Sequence, residues 1–491
     1  MSSICTSNVT SGFIDLATFD EIEKYMYGGP DATAYFVRET RKSTWFTQVP
    51  VVLSRASGSP QFNQEWSVSI SRAGDYLLQS WLRLQLPSVQ LASTVASGTY
   101  IRWTRNFMHN IIRECAITFN DLVAARFDSY HLDFWAAFTV PASKQNGYNN
   151  MIGNVPELIN PVGPGGVLGL AVTGQSSNGT LLNLPLPFFY ARDSGVALPT
   201  AALPYNEMRI NFSFRDWSDL LIQSTGSGSS TFNSQASSSN LVSTPSISQC
   251  QVWSNYAIVS NDERKRMACA PRDLLIEQVQ TAPLQSFTPQ TSNQQSFDIR
   301  FSHAIKVLFF AVKNYSCKSE WSNYTTVSPT IASGVVAFSP AGSTDPILQT
   351  SLIYENTNRL QQMGSDYFSL VNPWYNAPTI PSVTGYHAYS YSLDFYCLDP
   401  LGSTNYGKLT NVSIVPEASQ DAINNNAGSY NSTSAAYNQG QTFQFIVTAV
   451  NNNIIRISGG KHPRVPLTVG CYKSCDNTFM GKQCKLSPSI Y

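Results

Sequence analysis

The sequence has few charged residues. Asp, Glu, Lys and Arg make up only 13% of the 491 residues, against roughly 25% in an ordinary globular chain. A surface with so little charge must rest on Ser, Thr, Asn and Gln and on contact with other proteins, which is typical of a subunit packed among neighbours. The 31 basic and 31 acidic residues balance, so we expect no bulk attraction to an anionic membrane and no direct binding of nucleic acid.

Long apolar runs are also missing. Residues 158–191 and 220–261 carry no charge, but Gly, Pro, Ser and Asn interrupt both segments. Neither segment therefore supplies the ~20 mostly apolar residues that a membrane-spanning helix needs. The N-terminus has no basic stretch followed by an apolar core, so we expect no signal peptide and synthesis in a cytosol.

Motifs for catalysis and metal binding are absent. No Walker loop, dinucleotide fingerprint or Gly-x-Ser-x-Gly elbow occurs, and the five histidines form no His-x-His or His-Glu-x-x-His pair. We therefore predict no enzymatic activity, no cofactor and no catalytic, cofactor-binding or metal-binding residues. A glycosidase-like acidic pair stays open, because the sequence cannot name which carboxylates meet in the fold. The histidines are His109, His131, His303, His387 and His462.

The nine cysteines form no disulfide framework, since they are odd in number and irregularly spaced. Cys471, Cys475 and Cys484 with His462 are the one constellation that could hold a metal. Four such ligands suit tetrahedral zinc, but their spacing matches no standard finger. The alternatives are a tail with reduced thiols, or disulfides between subunits made by this tail or by Cys5.

Apolar and polar residues alternate through most of the chain, which predicts half-buried antiparallel strands. Met208, Ile210, Phe212 and Phe214 alternate with polar residues in one such segment. Similar alternation occurs in residues 66–71, 297–302, 389–395 and 443–447. Short strands with Gly and Pro corners are typical of antiparallel sandwiches.

Two helical segments interrupt this pattern. Asp128 is a candidate N-cap for a helix in which Tyr130, Phe134 and Phe138 share one face, and Pro141 ends it. Residues 12–26 form a second amphipathic segment. This segment either packs on its own domain or serves as an arm that docks on a neighbour or on a layer beneath a shell.

Residues 184–210 contain four prolines, which exclude a helix and predict extended segments with tight corners. In the identity and order of its residues, this stretch resembles a signature of the major capsid proteins of large icosahedral double-stranded DNA viruses, closest to those of the iridoviruses. Similar segments follow in family order from about residue 27 to residue 457. They include Tyr27-Gly-Gly-Pro, Asp262-Glu-Arg-Lys, Leu275-Ile-Glu-Gln-Val, Gly385-Tyr-His-Ala-Tyr, Pro400-Leu-Gly-Ser-Thr and Asn453-Ile-Ile-Arg-Ile.

The resemblance implies an all-β fold, a double jelly roll of two consecutive antiparallel sandwiches with short inserted helices. The Ser-rich run 224–240 is too poor in apolar residues to order itself, so we expect a junction or outward loop there, and an outward loop at 424–440. The predicted parts are an N-terminal arm (1–34), a first jelly roll (35–219), a Ser-rich junction (220–248), a second jelly roll (249–460) and a Cys-containing tail (461–491).

The resemblance also implies a function. Three chains would form a pseudo-hexagonal homotrimer, and many such capsomers would build the outer icosahedral shell of a virion, assembled in host cytoplasm from a late protein. Implied partners are the chain itself, minor capsid and penton proteins, and the inner membrane layer through the N-terminal arm.

Two alternatives from other classes stay open, a carbohydrate-binding surface sandwich with exposed Trp and Tyr and a sandwich enzyme. Arg192 and Asp193 are predicted to form a corner ion pair or a contact between subunits.

Overall fold

The computed structural model describes residues 2–38, 40–169, 179–203, 206–269, 272–290, 295–339, 342–427, 440–457 and 467–470. The chain divides into two units, Met1–Trp45 and Phe46–Tyr491. Among the described residues, no helix is both long and apolar enough to cross a membrane.

The first unit contains two helices, α1 (Ser2–Ala17) and α2 (Glu21–Tyr27). The Asp20 side chain caps α2 by accepting from the backbone N–H of Glu21, and the Glu23 carboxylate accepts from the backbone N–H of Asp20, which completes a capping box. Residues 35–38, with which the first jelly roll was predicted to begin, form turns with exposed side chains. A strand needs a neighbour to pair its N–H and C=O groups, and the first jelly roll accordingly begins at Phe46 instead of residue 35.

The second unit consists mostly of antiparallel strands. In its first half, the strands are β1 (Phe46–Val52), β2 (Ser54–Gly58), β3 (Glu65–Ser69), β4 (Tyr76–Leu86), β5 (Val89–Gln90), β6 (Thr99–Trp103), β7 (Ile112–Phe119), β8 (Leu122–Asp128), β9 (Val167–Leu168), β10 (Thr180–Pro185), β11 (Leu198–Pro199), β12 (Met208–Phe214), β13 (Leu221–Thr225), β14 (Phe232–Gln235) and β15 (Gln249–Val259).

In the second half, the strands are β16 (Arg272–Thr281), β17 (Gln285–Phe287), β18 (Phe297–Asp298), β19 (Ala304–Asn314), β20 (Thr330–Ala332), β21 (Val335–Ala337), β22 (Ile347–Tyr354), β23 (Thr357–Gly364), β24 (His387–Ser390), β25 (Thr404–Asn405), β26 (Val412–Ala418), β27 (Phe443–Ile457) and β28 (Leu467–Gly470).

Short helices lie between these strands. They are α3 (Phe107–Asn110), α4 (Ser129–Thr139), α5 (Ala142–Ile152), α6 (Pro156–Ile159), α7 (Asn261–Cys269), α8 (Asn372–Asn376) and α9 (Gln420–Asn426), with a π-helical turn (Tyr367–Val371) directly before α8.

Both halves have the same sheet topology. The first contains the sheets β1-β15-β4-β10 and β2-β3-β12-β7-β8, and the second contains β16-β27-β19-β24 and β18-β26-β22-β23. Each half has eight principal strands, and β2 is an extra strand at the edge of the first half. When the principal strands of each half are numbered from 1 to 8 in chain order, the two sheets of both sandwiches have the orders 1-8-3-6 and 2-7-4-5. This arrangement confirms the predicted double jelly roll.

The eighth strand of the first jelly roll is β15. Sequence alternation assigned residues 249–259 to the second jelly roll, but β15 pairs with β4 and β1 along its length. The predicted division at residue 249 therefore cuts through a sheet, and the sheets change over after Val259. Local periodicity cannot reveal which distant strand supplies the hydrogen-bond partners.

The Ser-rich run is ordered, contrary to the sequence-based expectation. Strands β13 and β14 form a small sheet with β6. The hydroxyl of Ser224 donates to Asn233 Oδ1 at 2.7 Å, and Asn233 Nδ2 donates to the carbonyl of Pro329 at 2.8 Å. Ser224 and Asn233 are both buried. Paired polar groups can be buried at little cost, so this segment becomes ordered without a large apolar area.

Other local predictions are confirmed. Alternate residues of β12, beginning with Met208, are buried, as its sequence pattern requires. Helix α4 begins after Asp128, whose carboxylate accepts from the backbone N–H of His131 at 2.9 Å, and the helix ends before Pro141. The described part of the proline-rich stretch, residues 184–203 and 206–210, forms no α-helix and includes three 3₁₀ turns.

The cap of α4 leads to a first prediction. Asp128→Ala removes the acceptor for an N–H at the helix start and should lower the free energy of unfolding by about 1 kcal/mol. Asp128→Asn keeps a capping oxygen and should lose less. Urea denaturation of the three proteins measures the difference, and equal losses for the two variants would show that the cap does not stabilise α4.

Candidate functional site

The candidate site is the seam between the two jelly rolls, and its centre is strand β19. Nearly all of this strand is buried, because its two faces belong to different cores. One face joins the core inside the second jelly roll, and the other joins a separate core that includes helix α4 of the first jelly roll. Residues on the inner face are Leu308, Phe310 and Val312, and those on the outer face are Val307, Phe309 and Ala311.

Helix α4 covers the outer face of β19 with aromatic rings. Phe134 and Phe138 stack on Phe309, with ring centroids 5.8 and 5.4 Å apart. Leu132, on another side of the helix, packs into the core of the first jelly roll. Because α4 contributes to both cores, it joins the two sandwiches through apolar contact.

A buried ion pair crosses the seam. Arg102 of β6 donates from Nη2 to Oε2 of Glu320 at 2.6 Å, and both side chains are almost completely excluded from solvent. Removing only one partner would leave an uncompensated charge in the interior, which costs more than removing both.

Trp321, the next residue, lies between the side chains of Arg215 and Lys313. The Cζ atom of Arg215 is 3.8 Å from the centroid of the indole ring, and Nζ of Lys313 is 3.3 Å from it. At these distances two groups cannot share one face, so the ring is sandwiched between them. Burial lowers the pKa of Lys313 well below its ordinary value, and repulsion from Arg215 adds to this effect.

The carboxylate of Asp133, on α4, contacts four polar side chains at the centre of the seam. Its carboxylate accepts from Asn106 Nδ2 at 3.0 Å, Ser322 Oγ at 2.6 Å and the Tyr324 hydroxyl at 3.1 Å, and it contacts His109 Nδ1 at 2.7 Å. Asn106 and His109 belong to the first jelly roll, whereas Ser322 and Tyr324 belong to the second. The buried carboxylate is therefore satisfied only when the two sandwiches are in register.

Arg192 also joins the two jelly rolls, so the predicted corner ion pair with Asp193 is wrong, whereas the alternative of a contact between subunits stays a prediction. Its guanidinium lies 3.4 Å from Glu277 Oε2, and it stacks over the rings of Trp135 and Tyr396. Asp193 instead lies exposed beside Ser194. The two residues are adjacent in sequence, but Glu277, the carboxylate that pairs with Arg192, is distant in the chain and is brought close only by the fold.

Groups with metal-binding chemistry are dispersed. Within the described ranges, no three His, Cys, Asp or Glu residues come close enough to hold a metal ion. His109 and His387 are buried, and each pairs with a carboxylate, Asp133 and Asp345 respectively. The constellation of Cys471, Cys475, Cys484 and His462 lies outside the described residues, as does the side chain of Cys5.

These features place the chain in the class of double jelly-roll proteins. The PBCV-1 virus capsid, a quasi-atomic model, superposes with a TM-score of 0.66 at 18% identity, covering 89% of this chain and 100% of that one. At this identity the likeness supports the fold alone.

Sequence similarity identifies the family. Residues 34–259 match the family model for the major capsid protein N-terminus, and residues 263–462 match that for the large eukaryotic DNA virus major capsid protein. The major capsid protein of Wiseana iridescent virus is 65% identical over 465 residues, with 94% of each chain covered. That of Tipula iridescent virus is 64% identical over 465 residues, covering 94% of this chain and 98% of the relative. The chain belongs to the major capsid protein family of large eukaryotic DNA viruses, which confirms the resemblance found in the sequence.

The ion pair at the seam gives a second prediction. Glu320→Ala should lower the free energy of unfolding by about 3–5 kcal/mol, because Arg102 is left buried without a partner. The double variant Arg102→Met with Glu320→Met should lose much less. The exposed pair of Arg456 and Asp273 supplies a control, since Asp273→Ala should change stability little. Urea denaturation at fixed protein concentration measures all of these variants, and equal effects of the two alanine variants would contradict the prediction.

His131 gives a third prediction, on pH dependence. Burial, together with repulsion from the nearby Arg192, lowers the pKa of His131 to about 3. The unfolded chain, with a histidine pKa of about 6.5, therefore binds more protons than the folded chain between these values. Stability is full above pH ~6.5 and falls towards pH ~3, by up to about 1.4 kcal/mol per pH unit.

The matched variant is His131→Phe, which keeps a ring beside Trp135 but does not titrate. Its free energy of unfolding should fall less than that of the unaltered protein as the pH is lowered from 6.5 to 4. Curves that stay parallel over this range would contradict the prediction.

Proposed function

We propose that this chain builds the outer shell of a large double-stranded DNA virus by self-assembly. Three copies form a homotrimer in which six jelly rolls give a pseudo-hexagonal outline, and many such capsomers tile an icosahedral surface. Family membership supports a structural capsid role. The location that follows is the virion, with synthesis and assembly in host cytoplasm.

The observation that carries this proposal is the equal topology of the two sandwiches. Both have the strand orders 1-8-3-6 and 2-7-4-5, so one chain presents two units of similar shape. Three such chains then approximate sixfold symmetry, and hexagonal units can tile a surface. The seam supports the same proposal, because it holds the two sandwiches of a chain at a fixed orientation through Phe309, Asp133 and the Arg102–Glu320 pair.

The surface composition agrees with an assembling subunit. Exposed aromatic side chains occur in both units, for example Trp45, Trp374 and Tyr375, and the chain has little charge to solvate them. Such groups are typical of surfaces that become covered in a complex. We propose that the role is structural rather than enzymatic, without direct contact to nucleic acid.

The unit Met1–Trp45 is proposed to act as a docking arm. Apolar side chains along its helices are exposed, among them Phe13, Leu16, Ile22 and Met26. Proposed partners of the arm and of the shell are the inner membrane layer, minor capsid proteins and penton proteins.

The fourth prediction concerns the assembly state. The purified chain should form a stable trimer by native mass spectrometry, and negative-stain images should show particles with a hexagonal outline. Removal of residues 1–45 should leave the trimer intact if the arm serves contacts outside the capsomer. A full-length chain that stays monomeric at micromolar concentration would contradict the proposed function.

A further inference from the structure

Each jelly roll carries a helical insertion at the same place in its topology. The connection from the fifth to the sixth principal strand contains α4 to α6 in the first half. In the second half it contains the π-helical turn Tyr367–Val371 and α8. The two insertions are therefore equivalent by position, although their sequences differ.

The first insertion packs on the second jelly roll of the same chain. Its rings Phe134 and Phe138 pack on Phe309, which lies on the third strand of the second jelly roll. Phe309 is paired with Thr448 of the eighth strand and Ala388 of the sixth strand. The contact is thus a helix of one sandwich on the outer face of the 1-8-3-6 sheet of the next.

The second insertion also has one side that packs into its own jelly roll, but its opposite side is exposed. Phe368 enters the core of its own jelly roll, with its ring centroid 5.2 Å from that of Phe310. On the other side, Leu370, Trp374 and Tyr375 are 52%, 70% and 76% exposed. Leu370 and Trp374 are four residues apart, the spacing that places Phe134 and Phe138 on one face of α4.

The first jelly roll has a surface that is equivalent by position to the one around Phe309. Trp81 lies on the third strand and pairs with Trp253 of the eighth strand and Pro185 of the sixth, the same rank that Phe309 has in the second jelly roll. The rings of Trp81 and Trp253 stack at 6.3 Å and are half-buried.

Polar side chains surround these two tryptophans. They are Gln79, Arg83, Gln251 and Asn255, all at least partly accessible. An aromatic centre inside a polar rim is typical of a surface that is solvated in the free subunit and covered on assembly. The corresponding face of the second jelly roll, which is covered permanently, is instead apolar.

We propose that the insertion at residues 367–376 of one copy docks on the Trp81–Trp253 face of a second copy, repeating between chains the contact that α4 makes within a chain. The inference rests on the proposed trimer and names its interface. Each chain then offers one inserting helix and one receiving face, a head-to-tail contact that closes into a ring when rotation permits.

A charged substitution at the exposed tryptophan tests the proposal. Trp374→Glu should raise the protein concentration at which half of the trimer dissociates by about 30-fold or more, as expected for loss of a central aromatic contact. Trp253→Glu, on the receiving face, should have a similar effect. Leu348→Glu is the matched control, because Leu348 is 54% exposed on a different sheet, and its trimer should dissociate as that of the unaltered protein does.

Mass photometry over a dilution series gives the dissociation midpoint, and far-ultraviolet circular dichroism confirms that each variant is folded. If the unaltered protein forms trimers and Trp374→Glu dissociates at the same concentration, this interface is wrong while the proposed trimer stands. If the unaltered protein is itself a monomer, the proposed function fails.

Footprinting of the unaltered protein keeps the test valid if a variant misfolds. Hydroxyl-radical oxidation, followed by peptide mass spectrometry, should modify Trp374 and Tyr375 several-fold less in concentrated trimer than in diluted, dissociated chain. Oxidation of Leu348 should stay the same in both samples. Equal oxidation of Trp374 in the two samples would overturn the proposal.

Discussion

Burial of the sheet β16-β27-β19-β24 on both faces is the constraint on which the rest of the structure depends. A sandwich normally covers only the inner face of each sheet, and β19 carries large apolar side chains on both. The second jelly roll alone would leave Phe309 and its neighbours in water. Helix α4 of the first jelly roll removes that exposure, so the two halves are coupled by apolar burial.

The polar groups of the seam add specificity to this apolar contact. Asp133 and Glu320 are buried where displacement of either sandwich would separate them from their partners in the other one. Buried ion pairs contribute little net stability compared with apolar packing, but a broken pair is costly. We therefore interpret these contacts as fixing the orientation of the two jelly rolls, which any repeated arrangement of sandwiches in a shell requires.

Helices and strands were predicted correctly where a pattern within a few neighbouring residues specifies them. Asp128 with the aromatic face of α4, and the alternation in β12, both have the predicted structure, because caps and periodicity act over a few residues. The seam was not predicted. Of its charged residues only Arg192 was singled out, with the wrong partner, since Glu277 is far away in sequence. The Ser-rich run was also misjudged, because its hydrogen bonds to Pro329 and within its own hairpin come from the fold.

The sequence by itself determined the fold class, the family and the positions of most strands, because alternation, turn residues and family motifs each involve residues that are close together in the chain. One seam signal was available, the nearly unbroken apolar run of β19, which is typical of a sheet buried on both faces. Only the tertiary structure decided which strands pair, that β15 completes the first jelly roll, and that Asp133 joins the two. Such contacts link residues far apart in the chain, and the physical reason is that pairing depends on partners that no local window contains.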